Sequence, residues 1–291
     1  MSTHLNLAWL YWDPQRVALT IPYFDIAIMW YGILFALGFI VAYLIFLPMI
    51  KKEMDKSRKF LFPETTTTRA LSIAYTDRLV WFIVIGTIIG ARLGHVFFYD
   101  WPYYQAHPVE IIMIRNGGLA SHGGAIGVIL AICLFYRWNH KKYPSIPFLT
   151  LLDLIAVPTA LTACFIRLAN FVNQEIVGTE STLPWAIIFG HPAETATVVP
   201  RHPAQLYEAA AYLATFAILY TLWLKYSSRL KPGMLCGLFF ILIFTSRFFI
   251  EFIKMPQSMH SNESFLQTGQ YLSIPFIILG IVMMLLPKKP L

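Results

Sequence analysis

The chain has 291 residues, 57% hydrophobic and only 13% charged, with a net charge of +7 and a mean hydropathy of +0.61. Soluble domains run to roughly half apolar and a quarter charged, so this balance excludes an ordinary soluble protein and points to a polytopic membrane protein. The positive charge calls for no nucleic-acid partner, because basic loops between membrane spans account for it.

The first 20 residues lack the basic start of a cleavable signal peptide and carry Asp13 and Arg16. "LAWLYWDP" reads instead as an amphiphilic piece at the membrane interface. A bilayer span needs about 20 mostly apolar residues. Seven such stretches follow, which makes the fold class all-α, with helices over 22–50, 78–98, 117–137, 148–172, 204–225, 233–253 and 268–287 of one membrane domain covering 1–291. Segment 51–78 is charged and then Thr-rich, and is expected to lie as an amphipathic piece on the inner surface. Residues 173–203, rich in Thr, Pro and Glu, are expected to form a small extracytoplasmic subdomain. Cys133, Cys164 and Cys236 stand alone in apolar runs and read as core residues. No metal-ligand spacing and no internal repeat is found, and no cofactor is expected.

Charge sets the orientation. Of the 22 Lys and Arg, 15 fall in the first, third and fifth connections and the C-terminal tail, which seven spans place on one side. The other side has only Arg16, Arg115, Arg201 and Lys254, and Arg92, Arg167 and Arg247 lie within helices. Basic residues collect on the cytoplasmic side, so the N-terminus is expected outside and the C-terminus inside.

Ionisable groups within spans are costly and face a bundle interior or a cavity. The candidates are Arg92, His95, His122, Asp153, Arg167, Glu208, Arg247 and Glu251. All but Asp153 fall on the outer half, which predicts one polar cavity opening to the outer leaflet. Arg92 and His95 also read as interfacial residues, and Asp153 as the partner of a helix end or a basic loop. In "RLANFVNQE", Arg167 and Asn170 are three apart and share a helix face, with Asn173 and Glu175 where the helix should end. In "RFFIE", Arg247 and Glu251 are four apart and are expected to pair. Two arginines from different helices at headgroup depth suit a phosphate, which a guanidinium grips through two parallel hydrogen bonds. Phospholipid is the phosphate donor at that depth. His122 stands between glycine pairs in "GGLASHGGAIG", where the glycines serve either substrate access or a helix-packing seam.

"LASHGGAIG", "RLANFVNQEIVG", "RHPAQLYE" and "SRFFIEFIK", in this order, resemble the prolipoprotein diacylglyceryl transferases of the bacterial inner membrane. "WYG" at 30–32, "GARLGHVFFYD" at 90–100 and "GQYLSIP" at 269–275 fit as well, and the likeness runs from about 22 to 287. The resemblance implies an enzyme that moves the diacylglyceryl group of phosphatidylglycerol to the lipobox cysteine thiol of a preprolipoprotein signal peptide, releasing glycerol-1-phosphate. It carries functional roles to Tyr31, His122, Arg167, Asn170, Glu175, Gly178, Arg247 and Glu251. It also implies a multi-pass inner-membrane protein among membrane lipids. Four positions depart from the family pattern: Met29 stands where histidine is usual, Ile166 and Gln174 where glycine is, and Ile243 where tyrosine is.

On this reading Arg167 and Arg247 grip the phosphate, and His122, whose charge changes near neutrality, takes the proton of the thiol. Tyr31, Asn170, Glu175, Gly178 and Glu251 bind or orient the phosphatidylglycerol. A polar-lined transporter is the rival from another class. It is disfavoured because transporters place their sites near the midplane and show paired halves.

Overall fold

The computed structural model describes residues 9–23, 26–61, 67–114, 117–144, 146–195, 197–255 and 266–285. Seven helices among them are long and apolar enough to cross a membrane. They are α1 (Trp30–Leu61), α2 (Thr68–Phe98), α4 (Ser121–Asn139), α5 (Phe148–Asn173), α6 (Ala204–Tyr226), α7 (Met234–Glu251) and α8 (Thr268–Leu285), with a short α3 (Trp101–Ala106) and a 3-10 turn (Pro108–Ile112) after α2. The last four spans lie within two residues of their expected ends, save that 286–287 fall outside the described residues.

The first span starts later than expected, at Trp30 rather than 22. Residues before it form an antiparallel hairpin of β2 (Val17–Ile21) and β3 (Ile26–Met29), with Thr20 opposite Ala27 and Ile21 opposite Ile26. Pro22 follows β2, has no N–H to offer a helix and suits a turn. Hydropathy hides this boundary because the apolar run continues from strand into helix. At its other end α1 runs on to Leu61, its charged turns stitched by Lys51–Asp55 (2.9 Å) and Glu53–Lys56 (2.6 Å). With α2 starting at Thr68, the expected inner-surface segment is largely absorbed into two helix ends.

The N-terminal piece read as amphiphilic contains a strand. Leu10–Trp12 is a strand, β1, parallel to β4 (Ile187–Phe189), which pairs antiparallel with β5 (Pro200–Arg201). The region 173–203 therefore carries two strands, and the N-terminal segment supplies a third.

The contacts divide the chain into two compact units: Leu47–Phe148, and Met1–Phe46 together with Leu149–Leu291. In the first, α2 and α4 meet backbone to backbone. Gly86, Gly90 and Gly94, four residues apart on α2, face Gly123, Gly127 and Ala131, spaced alike on α4. A Cβ added at Gly90 would sit 2.7 Å from Gly127 Cα, and one at Gly94 would sit 2.6 Å from Gly123 Cα. Small residues give transmembrane helices this close approach, so Gly123 and Gly127, after His122, belong to a packing seam. Gly117 and Gly118 take φ of +84° and +73°, which delays α4 to Ser121. His122 is thus the second residue of α4 instead of lying about 7 Å inside it.

Arg92 is structural. Its guanidinium bonds the carbonyls of Glu110 (2.5 Å), Ile111 (2.8 Å) and Gly117 (2.7 Å), tying the 3-10 turn and the glycines after it to α2. His95 lies 3.6 Å from Asp100 and fills the space where a side chain on Gly118 would go.

In the second unit, α1 rests on α5, with Thr162 Oγ1 donating to Gly38 O at 3.2 Å. Asp153, the one candidate expected on the inner half, accepts from the N–H groups of Gly233 (2.7 Å) and Cys236 (2.8 Å), capping α7 from a neighbouring helix. Helices α7 and α8 touch at Gly237 and Gly280. Cys164 and Cys236 are buried as expected, but Cys133 is exposed on α4 and is not a core residue.

Candidate active site

The second unit gathers six charged side chains from α5, α6 and the end of α7. Helical spacing puts Arg167 and Asn170 on one face of α5, and Arg167 Nη1 donates to Asn170 Oδ1 at 3.0 Å. Asn170 Nδ2 donates to Glu175 Oε2 (3.0 Å), and Asn173 Nδ2 to Glu175 Oε1 (3.0 Å), so one carboxylate clamps the last turn of the helix from below. Gln205, in the first turn of α6, donates to the Glu175 carbonyl at 2.6 Å. Three of the residues expected to act together, Arg167, Asn170 and Glu175, therefore form one hydrogen-bonded line.

The other edge of Arg167 meets Glu208 of α6. Its Nε lies 2.9 Å from Glu208 Oε2, an ion pair whose N–H is not aimed for a hydrogen bond. Glu208 is fully buried and also accepts from Lys254 Nζ (2.8 Å) and from the Tyr212 hydroxyl (3.2 Å). Lys254 reaches Glu251 Oε2 as well, at 3.0 Å. A buried carboxylate is tolerable only when paired and hydrogen-bonded, and Glu208 is both.

The expected pairing of Arg247 with Glu251 is not what the structure holds. Glu251 is taken by Lys254, three residues on, and lies against Gly269, where any side chain would displace the carboxylate. Arg247 is half-buried and makes no hydrogen bond or ion pair among the described residues. Its charge still acts on Glu208 and Tyr212, the same two groups that face Arg167. A guanidinium with no such partner there is open to an anion, which it can grip through two parallel hydrogen bonds.

Tyr31, near the start of α1, lies within electrostatic reach of both Glu175 and Arg167. Gly178 has a packing reason: a Cβ there would sit 2.5 Å from both the Cβ and the carbonyl of His202, and its N–H bonds that same carbonyl at 3.0 Å. His122 belongs to the other unit, is exposed, and makes no hydrogen bond or ion pair among the described residues.

Sequence reasoning missed Lys254, counting it as a loop charge, and left Glu208 out of the working set. The available signals were the four-residue step from Glu208 to Tyr212 and the three-residue step from Glu251 to Lys254. Each puts two polar groups on one face.

The turn joining α5 to Gly178 is strained. Gln174 (φ 57°) and Ile176 (φ 59°) are both left-handed, a conformation that costs a residue with a side chain about 1–2 kcal/mol. Asp13, outside the spans, accepts from Gln174 Nε2 (2.9 Å) and lies 2.8 Å from His191 Nδ1. Its hydrogen bond with His191, then that with Gln174, hold its carboxyl below the ordinary range.

Seven apolar helices, with a cluster of paired charges gathered by α5, α6 and the end of α7, define a multi-pass membrane protein that carries a polar site. A sequence model described as prolipoprotein diacylglyceryl transferase matches residues 16–286, and the chain belongs to that family and is a transferase. It is 40% identical to the phosphatidylglycerol–prolipoprotein diacylglyceryl transferase of Protochlamydia amoebophila, over 97% of this chain and 96% of that one. It is 42% identical to the enzyme of that name in Tolumonas auensis, over 96% and 98%, and 42% identical to the one in Porphyromonas gingivalis, over 94% and 93%.

Proposed function

We propose that the chain transfers the diacylglyceryl group of phosphatidylglycerol to the lipobox cysteine of preprolipoproteins, at the outer leaflet of a bacterial inner membrane. The sulfur forms a bond to the glycerol carbon as the carbon–oxygen bond to phosphate breaks. Glycerol-1-phosphate leaves with the electron pair, and the thiol proton passes to a base, for which His122 is the candidate. The observation that carries the reading is that Arg247, with no hydrogen bond or ion pair among the described residues, shares the Glu208–Tyr212 surroundings of an Arg167 already oriented by Asn170 and Glu208. Donors fixed in advance where charge develops stabilise the leaving phosphate without reorganising. Asn170 and Glu175 present an amide and a carboxylate suited to the hydroxyls of the glycerol headgroup, and Tyr31 adds a phenol from α1. Within this scheme Gly178 serves by letting the 174–178 turn pack against His202. Seven spans with most basic loops on one side support an outside N-terminus and an extracytoplasmic 173–203.

The test is incorporation of labelled lipid from phosphatidylglycerol into a Cys-bearing lipobox peptide by the purified protein. Arg167→Ala and Arg247→Ala are each expected to lower turnover by about 10²–10³-fold, as loss of one charge-stabilising donor does. His122→Gln should lower it with a changed pH profile. Normal turnover in Arg167→Ala would sink the phosphate-grip assignment.

A further inference from the structure

Two left-handed residues that are not glycine, with a site carboxylate between them, ask what keeps them so. Such a backbone persists only where its surroundings over-determine it, and it concentrates at functional sites. Ile176 is the sharper case, since a β-branched side chain at φ 59° is a true outlier.

The surroundings are specific. Gln174 is 1% exposed and both ends of its amide are used: Nε2 donates to Asp13 Oδ1 at 2.9 Å, and Oε1 accepts from His191 N at 2.7 Å. Its carbonyl accepts from Ala193 N at 3.0 Å. Ile176 N donates to Glu194 Oε1 at 2.5 Å. Asp13 is itself fixed by His191 Nδ1 (2.8 Å), and Arg16 bonds the His191 carbonyl (2.9 Å). Just ahead of Asp13, Trp12 donates to Phe171 O at 3.1 Å and stacks on its ring, with centroids 4.6 Å apart. Every one of these partners comes from the segment around β1 or from residues 191–194.

The residue so bracketed is Glu175. Its carboxylate must reach back to Asn170 and Asn173, and its own N–H bonds Asn170 O at 2.9 Å. A turn that relaxed to ordinary φ values would swing that carboxylate away from Asn170 and release the orientation of Arg167.

We infer that Asp13, Gln174 and Glu194 are positioning residues: the N-terminal segment and the 191–194 loop hold the 174–176 turn so that Glu175 stays in register with Asn170. The inference rests on the reading that Asn170 and Glu175 bind the glycerol headgroup. The side chain of Gln174 thus replaces, by tethering, the backbone freedom a glycine would supply there.

The experiment uses the full chain in detergent with phosphatidylglycerol and a lipobox peptide, measuring kcat and the KM for lipid. Asp13→Ala and Gln174→Ala should each raise that KM by ~10-fold, the scale of one or two lost hydrogen bonds, with kcat changed much less. Asp13→Asn keeps an acceptor oxygen and should restore the normal KM. Gln174→Gly, which adopts the left-handed turn without strain, should fall between Gln174→Ala and the parent. Thermal melting of each variant separates this split from simple unfolding, which lowers the active fraction and leaves KM unchanged. An unchanged KM in both alanine variants overturns the inference. Asn170→Ala and Glu175→Gln are run beside them. If those leave the lipid KM unchanged, the headgroup reading itself has failed; if they raise it while Asp13→Ala does not, only the tether has failed.

Discussion

Lys254 lies 2.8 Å from Glu208, and both side chains are almost entirely shielded from solvent. The lysine also takes Glu251 at 3.0 Å, so one ammonium bridges two carboxylates, and Arg247 makes no ion pair among the described residues. Removing the lysine leaves Glu251 without that ion pair and leaves Glu208 facing Arg167 and Arg247, the arginines proposed to hold phosphate. Lys254→Ala is therefore expected to destabilise the protein by about 3–5 kcal/mol, the range for breaking a buried pair. It should also cost activity beyond the loss of folded protein, because Arg247 is drawn into pairing. Lys254→Arg should retain both. Thermal melting in detergent, with turnover normalised to folded protein, checks the pair of outcomes.

How far the sequence reaches differs from element to element. Spans α5 to α8 are legible because each apolar run ends where Pro, Gly or charge begins. The start of α1 is not, since Ile26–Met29 is as apolar as the helix it feeds and hydropathy carries no sign of hydrogen-bond direction. Arg167, Asn170 and Glu175 share a few residues of chain, so helical spacing alone brings them together. Lys254 joins Glu208 across 46 residues, and Gly269 makes room for Glu251 from another helix. Only tertiary packing creates those relations. Arg92, read from its position as an interfacial residue, differs from Arg167 in that carbonyls of the segment after α2 satisfy it.

Asp153 caps α7 with two backbone bonds in a setting where water cannot replace it. Asp153→Ala should lower stability by ~1–3 kcal/mol, the penalty for leaving buried N–H groups unsatisfied. Asp153→Asn keeps one acceptor oxygen and should lose less. Both are read by melting in detergent, and equal stability of the alanine variant and the parent would refute the cap.

The α2–α4 seam predicts a contrast between glycines. In Gly127→Ala the new methyl meets the backbone of Gly86 and Gly90, which cannot yield without parting the helices. A loss of about 1–3 kcal/mol is expected, as for other overpacked sites. Gly32→Ala, where nothing lies within 4 Å, should be neutral or gain up to ~1 kcal/mol from helix propensity. Matching melting temperatures for the two variants would contradict the seam.

Acid should loosen the N-terminal segment before the spans. The Asp13 carboxyl is held below its ordinary value of 3.8 by hydrogen bonds from His191 and Gln174, so its folded form favours the ionised state. A carboxyl lowered on folding stabilises above its unfolded pKa and loses that contribution as pH falls through the folded one. The tether is thus expected to be intact at pH 6 and weakened below pH 3.8, while His191, still able to donate, finds no anion. Hydrogen-exchange protection factors for residues 9–16 and 187–195, measured at pH 6 and near pH 3, should fall in acid, with the helix interiors unchanged. Asp13→Asn has no charge to lose there, so its protection in these segments should not vary over the same range. A parent protein whose N-terminal protection is equal at both pH values would show that the Asp13–His191 contact does not hold the segment.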